Sequence, residues 1–202
     1  ICAGLGYNSS AAIDDFIKNS ENSHLTIDMV EISAATLACG LLVPSPIKAH
    51  DITRKAIEEE LIKENYATLE LEKTEIPQDI DINVFIEDAR KTVQNLEDDS
   101  YDAIFLDPFS QNMAPELFSL DFFKEFRRII KDTGIVATYT SSAPVRAAFI
   151  EAGFCIGLGP IFGRKQGGTL ASPSQKMLDT SLPKNDEIRI ALSDVAIPFR
   201  DP

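Results

Sequence analysis

The stretch Tyr101–Ser110, YDAIFLDPFS, decides the fold. Asp102 precedes four apolar residues, Ala103, Ile104, Phe105 and Leu106, which give way at once to Asp107-Pro108. A short apolar run ending in Asp-Pro predicts a strand buried on both faces, because Pro108 offers no ladder donor and disfavours a helical conformation at Asp107. Asp107 then stands where a strand opens into a loop. In open α/β sheets that carboxyl edge is where ligands bind, so a carboxylate held there is a candidate for chemistry. An Asp before Pro also starts ordinary turns, and the neighbouring elements have to separate the two readings.

Upstream, Ile82–Ile86 predicts another strand, ending in Glu87-Asp88-Ala89-Arg90, with a helix over 91–96. Before it, Leu25–Glu31 (LTIDMVE) predicts a strand that ends in a carboxylate 25 positions after Gly6. The chain opens on Ile1-Cys2-Ala3-Gly4-Leu5-Gly6-Tyr7-Asn8, which reads as strand end, glycine turn and helix start. Gly4 and Gly6 let backbone approach a ligand closely, and Asn8 or Ser9 is expected to cap the helix. A glycine turn followed by an acidic strand end at this spacing is how a nucleoside-binding α/β unit holds ribose hydroxyls. Taken singly, two glycines serve many βα turns, and a strand-end Glu commonly faces solvent.

Ser33–Val43 suits a helix capped by Ser33 and stopped by Pro44 and Pro46. Residues 51–75 are highly charged, with Ile57 and Leu61 one turn apart, and predict a surface helix within an insertion near 46–80. His24 and His50 stand beside turns and read as incidental to chemistry. Downstream, Pro115–Lys131 predicts a helix with Phe122, Phe126, Ile129 and Ile130 on one stripe. Gly134 restarts the chain into a strand over Ile135–Thr140, followed by a helix with Pro144 in its first turn. Gly153–Leu158 and Phe162–Leu170 predict a final antiparallel pair, and Glu187–Leu192 has too little pattern to assign.

Composition is that of one ordinary globular domain of 202 residues, 44% hydrophobic and 25% charged. The chain begins with Ile at a strand end, and the expectation is a first strand truncated upstream. Cys2, Cys39 and Cys155 have no zinc or disulfide spacing, so no metal is expected and a reducing cytoplasm fits. No apolar run is long enough for a membrane span. A net charge of −13 argues against a protein devoted to gripping nucleic acid. The charge is uneven, however: residues 51–110 carry 17 acidic and 6 basic side chains, residues 141–190 carry 4 and 6.

GLGYN at 4–8, EDAR at 87–90, DAIFLDPFSQNMAPELFSLDFF at 102–123, GIVATYTSSAPVRAAFIEAGF at 134–154 and GRK at 163–165 together resemble class I S-adenosylmethionine-dependent methyltransferases. Within them the chain is most similar to the MnmC methyltransferase family, which completes 5-methylaminomethyl-2-thiouridine at the tRNA wobble position. The resemblance implies a Rossmann-like α/β fold, with a mostly parallel central sheet, helices on both faces and an antiparallel C-terminal strand. It implies S-adenosylmethionine as cofactor, with Gly4, Gly6 and Asn8 at its methionine end, Glu31 at the ribose and Asp88 at the adenine. It places Asp107, the expected catalytic carboxylate, at the substrate end with Pro108 and Phe109, and tRNA as partner along Arg146, Arg164 and Lys165. Arg146 has a structural alternative, pairing within its own helix. Cys2 stands where the family usually has a further glycine. Keeping the fold and cofactor, a small-molecule amine is the alternative substrate, since aminopropyltransferases have a related architecture; a noncatalytic cofactor-binding partner is the third reading.

Overall fold

In a computed structural model of the protein, the structure describes residues 1–20, 22–68, 70, 72–161 and 167–201. The chain is α/β and folds as two compact units, Ile1–Thr92 and Val93–Pro202.

In the first unit, the glycine turn leads into α1 (Tyr7–Asn19). Strand β1 (Leu25–Val30) pairs in parallel with β2 (Ile80–Phe85), in register from Leu25 opposite Ile80 to Val30 opposite Phe85. Ahead of α1, the Ala3 N–H reaches the Val30 carbonyl at 3.0 Å, which ties the turn to the end of β1. Helix α2 (Ala34–Gly40) starts where Ser33 predicts, the Ser33 hydroxyl accepting from the Thr36 N–H at 3.1 Å. Helix α3 (His50–Lys63) is more than the surface helix its charge suggests. Ile57 and Leu61 pack with Met29, Leu37, Ala56 and Val84, while Ile52 and Ala49 join Ile13 and Ile80 in a second cluster. His50, Thr53 and Glu58 are buried on the same helix. Both Glu58 carboxylate oxygens accept the Glu72 N–H, at 3.1 and 3.2 Å, so the buried charge clasps the chain that returns toward β2.

The short α4 (Ala89–Gln94) leads into the second unit, whose four-stranded sheet runs β3 (Tyr101–Leu106), β4 (Ile130–Thr138), β6 (Thr169–Ser172), β5 (Cys155–Leu158). β3 and β4 are parallel; β6 is antiparallel to both β4 and β5, the pairing expected of the last strands, but it runs Thr169–Ser172 rather than over 162–170, of which 162–166 lie outside the described residues. Among the described residues β3 pairs with β4 alone, and its burial alternates along the strand. Ile104 and Leu106 are buried, whereas Ala103 is exposed and Phe105 is 45% exposed. The predicted helix over 115–131 is divided. Pro115–Phe118 is a 3-10 turn, Ser119 then accepts from the Phe122 N–H at 3.1 Å, and α5 (Leu120–Ile129) begins afresh. Ile130 is already in β4, and Lys131 pairs across the sheet with Asp102 at 2.7 Å. An aromatic core follows from the stripe: Phe123 stacks on Phe149 of α6 (Ala143–Glu151) with centroids 3.8 Å apart, and Phe154 meets Phe149 edge-on. The unassigned tail contains α7 (Lys184–Leu192).

Candidate functional site

The expected cofactor residues lie in the first unit. Gly6 has φ +84 and Gly4 φ +56, both left-handed, and Gly6 is the cap of α1. A Cβ on Gly6 would meet Thr53 Cγ2 at 2.7 Å, whereas one on Gly4 would meet nothing nearer than 4.0 Å. The two glycines therefore do different work: Gly6 lets the turn sit down on α3, and Gly4 leaves a backbone ledge open to an approaching group. Cys2, with φ +57, holds the glycine-like conformation that its motif position demands. Asn8 does not cap α1. The helix has already begun at Tyr7, so Asn8 and Ser9 are inside its first turn, and among the described residues no side chain caps it. The backbone N–H groups and dipole at such a helix start favour an anion.

Glu31 and the glycine turn are brought together. Glu31 Oε2 accepts from the Gly4 N–H at 3.0 Å and Oε1 from the Ser33 N–H at 3.1 Å. One carboxylate thus orients the turn on one side and the start of α2 on the other, with lone pairs left for hydroxyl donors. Asp88 follows β2 closely, and Arg90 holds it: Oδ1 accepts from the Arg90 N–H at 3.0 Å and Nε at 3.2 Å, Oδ2 from Nη2 at 2.8 Å. These bonds keep the Asp88 carboxyl below the usual carboxylate range, outweighing the desolvation that opposes them. Asp88 is therefore an acceptor at any physiological pH. Arg90 is a site-shaping residue that the EDAR motif contains and sequence reasoning left without a role.

Beneath the turn lies a polar cluster that hydropathy cannot reveal. Ser10 Oγ donates to the Gly6 carbonyl at 2.7 Å and lies 2.8 Å from His50 Nδ1 and 2.9 Å from Thr53 Oγ1. The His50 ring is 1% exposed and stacks on Tyr7 with centroids 5.2 Å apart. Burial, with the nearby Arg54 cation, lowers the His50 pKa from its ordinary value. His50 thus supports the turn from behind, as a neutral side chain.

The second unit holds the expected substrate-end residues. Asp107 directly follows β3, at its carboxyl end, and is exposed; Pro108 is buried and Phe109 is 82% exposed. A rigid strand, a buried proline and a projecting aromatic ring give this loop a fixed base and an apolar face. Arg146 is turned inward. Its Nε donates to Thr169 Oγ1 at 3.0 Å and Nη2 to the Gly168 carbonyl at 3.4 Å, while Thr169 Oγ1 donates to the Thr140 carbonyl at 2.7 Å. Burial pulls its pKa down. The arrangement matches a brace between α6, β6 and the loop after β4 more closely than an outward phosphate contact. Arg164 and Lys165 lie outside the described residues.

Comparison with known proteins adds independent findings. Residues 52–174 match a family described as S-adenosyl-L-methionine-dependent methyltransferase. An uncharacterized protein of Methanocaldococcus jannaschii is 35% identical over 202 residues, 100% of this chain and 53% of that protein. The tRNA 5-methylaminomethyl-2-thiouridine biosynthesis bifunctional protein MnmC of Ralstonia nicotianae is 41% identical over 71 residues, 35% of this chain and 11% of that protein. Among solved structures, MNMC2 from Aquifex aeolicus aligns with a TM-score of 0.73 at 29% identity, covering 98% of this chain and 59% of that one. The chain spans 53% of the M. jannaschii relative, about half its length.

Proposed function

The chain belongs to the S-adenosyl-L-methionine-dependent methyltransferase family, and from that premise we propose that it methylates the exocyclic amine of a 5-aminomethyl(-2-thio)uridine at the tRNA wobble position, in the cytoplasm. The observation that carries this reading is the likeness to MNMC2 over 98% of the chain at 29% identity, joined by the shorter match to the MnmC protein of R. nicotianae, whose name states the tRNA modification.

The residues fit the cofactor. The open ledge at Gly4 and the uncapped start of α1 suit the methionine end, with Asn8 in the helix's first turn; Glu31 suits ribose hydroxyls and Asp88 the adenine edge. S-adenosylmethionine supplies a methyl group made electrophilic by its sulfonium. Asp107 is proposed to accept a hydrogen bond from the substrate amine, orient its lone pair and stabilise the ammonium that forms. Pro108 fixes the loop and Phe109 offers an apolar face to a base. Arg164 and Lys165 are the proposed phosphate contacts, with Arg146 holding the adjoining backbone.

The test is mass spectrometry of tRNA nucleosides after incubating full-length protein with S-adenosylmethionine and undermodified tRNA. Conversion of the aminomethyl to the methylaminomethyl nucleoside is expected, and Asp107→Ala is expected to slow single-turnover transfer by about 10²–10³, with cofactor affinity kept. Asp107→Asn controls for a turn role. Unimpaired transfer in both variants would remove Asp107 from catalysis. The net charge of −13 favours the small-amine alternative; methylation of a free diamine with tRNA left untouched would replace the tRNA reading.

A further inference from the structure

Among the described residues, strand β2 is paired on one side only. In a parallel pair, alternate residues of a strand turn both backbone polar groups toward the neighbour. The Glu31 N–H donates to the Phe85 carbonyl at 3.0 Å and the Leu25 N–H to the Asp79 carbonyl at 2.9 Å. Asp81, Asn83 and Phe85 therefore face β1, and Ile82 and Val84 turn their N–H and C=O outward. Among the described residues no strand pairs with that outer edge.

The edge is one wall of a groove of about 500 Å³ whose other wall is the outer face of α3 and the residues just beyond it. Glu59, Glu60, Glu64 and Glu87 line it, and Tyr66, 63% exposed, stands at its lip. Lys63 is engaged by Glu60 at 2.9 Å and Lys55 reaches Glu59 at 3.5 Å, while Glu87 accepts from the neutral Thr92 hydroxyl at 3.1 Å. The groove is thus anionic, and its β2 wall presents backbone donors and acceptors at strand spacing.

We infer that this groove docks an extended segment of a partner protein bearing lysine or arginine, which adds to β2 as a further strand. Unpaired edge amides are a template for strand addition, and that mode takes its affinity from the main chain and its selectivity from alternate side chains. The carboxylates select cations and repel a phosphate backbone, so the groove is a separate surface from any that holds RNA. This inference does not depend on the identity of the methyl acceptor.

The probe is a capped synthetic octapeptide of alternating lysine and valine, added to the full-length protein, with binding followed by calorimetry and backbone amide exchange. The expected result is exchange at Ile82 and Val84 slowed at least about tenfold, with binding weakened about tenfold by N-methylation of alternate peptide amides, which keeps the charge and removes the ladder bonds. The variant Glu59→Lys/Glu64→Lys should weaken the peptide similarly and leave cofactor affinity unchanged. Equal binding of the N-methylated peptide, unprotected edge amides, or protection of those amides by tRNA would each overturn the inference.

Discussion

Replacing Gly6 by alanine separates a steric requirement from a conformational one. At φ +84 an added Cβ incurs the left-handed penalty of about 1–2 kcal/mol. It also arrives 2.7 Å from Thr53 Cγ2 and 3.4 Å from Ile57 Cδ1, both on the buried face of α3. Overpacking of that kind adds about 1–3 kcal/mol, so Gly6→Ala should cost about 2–5 kcal/mol. Gly4→Ala, at φ +56 with the Cys2 carbonyl oxygen at 4.0 Å and no clash, should cost only the conformational part, about 1–2 kcal/mol. The steric part is testable by removing what the Cβ strikes. Thr53→Ser deletes Cγ2 and keeps the hydroxyl near Ser10; alone it should cost about 1 kcal/mol, the loss of one buried methyl. The double variant Gly6→Ala/Thr53→Ser should then be more stable than the sum of the singles by about 1–3 kcal/mol. Urea unfolding of the four proteins at neutral pH gives the cycle. Strict additivity, or Gly6→Ala no worse than Gly4→Ala, would refute the packing of the turn on α3.

Cys2→Gly should stabilise the protein by about 0.5–1 kcal/mol, relief of the left-handed strain at φ +57 exceeding the entropy glycine adds to the unfolded chain; an unchanged or lowered urea midpoint would count against that strain. Because the folded His50 pKa lies below its ordinary value of about 6.5, the unfolded chain binds the extra proton first. The associated stability is present above that value and falls away as the pH drops below it. Thermal denaturation at about pH 7.5 and about pH 5.5 should show a larger loss for the parent than for His50→Gln, and equal losses would mean that another group carries the dependence. Glu31→Ala and Asp88→Ala should each weaken S-adenosylmethionine about 10–100-fold in calorimetry, the worth of a charged hydrogen bond of about 1.5–3 kcal/mol; parent-like affinity in both folded variants would dismiss the proposed anchors.

What could be read from sequence was what periodicity and capping chemistry encode. Ser33 marks the start of α2 because its hydroxyl meets an amide three residues on, and the Asp107 stretch marks a strand end because proline stops the ladder. What escaped depended on partners distant in sequence. Glu58, His50 and Thr53 look like surface residues in a charged run, yet each is buried because Glu72 or Ser10 supplies its hydrogen bond. The break at Ser119 was hidden because Phe122 and Phe126 continue the helical stripe of the segment before it. Tyr101–Leu106 is expected to be buried on both faces but buries Ile104 and Leu106 and exposes Ala103 and Phe105, since an apolar run does not say which of its side chains a neighbouring layer covers.

The insertion of β6 between β4 and β5 also dictates an order of events during synthesis. β5 finds β6 on one side and, through the Gly157–Ser181 bridge, residues near 180 on the other, and both partners leave the ribosome after it. β4 can pair with β3 as soon as it is made, but its second edge waits for Thr169. A nascent chain stalled once residues up to about 165 have emerged should therefore carry a formed parallel pair beside an unsatisfied edge, a state exposed to capture by chaperones or by a neighbouring nascent chain. Pulse-labelled amide exchange on stalled chains should show protection of Cys155–Leu158 only after the C-terminal stretch has emerged; protection before that point would rule this order out.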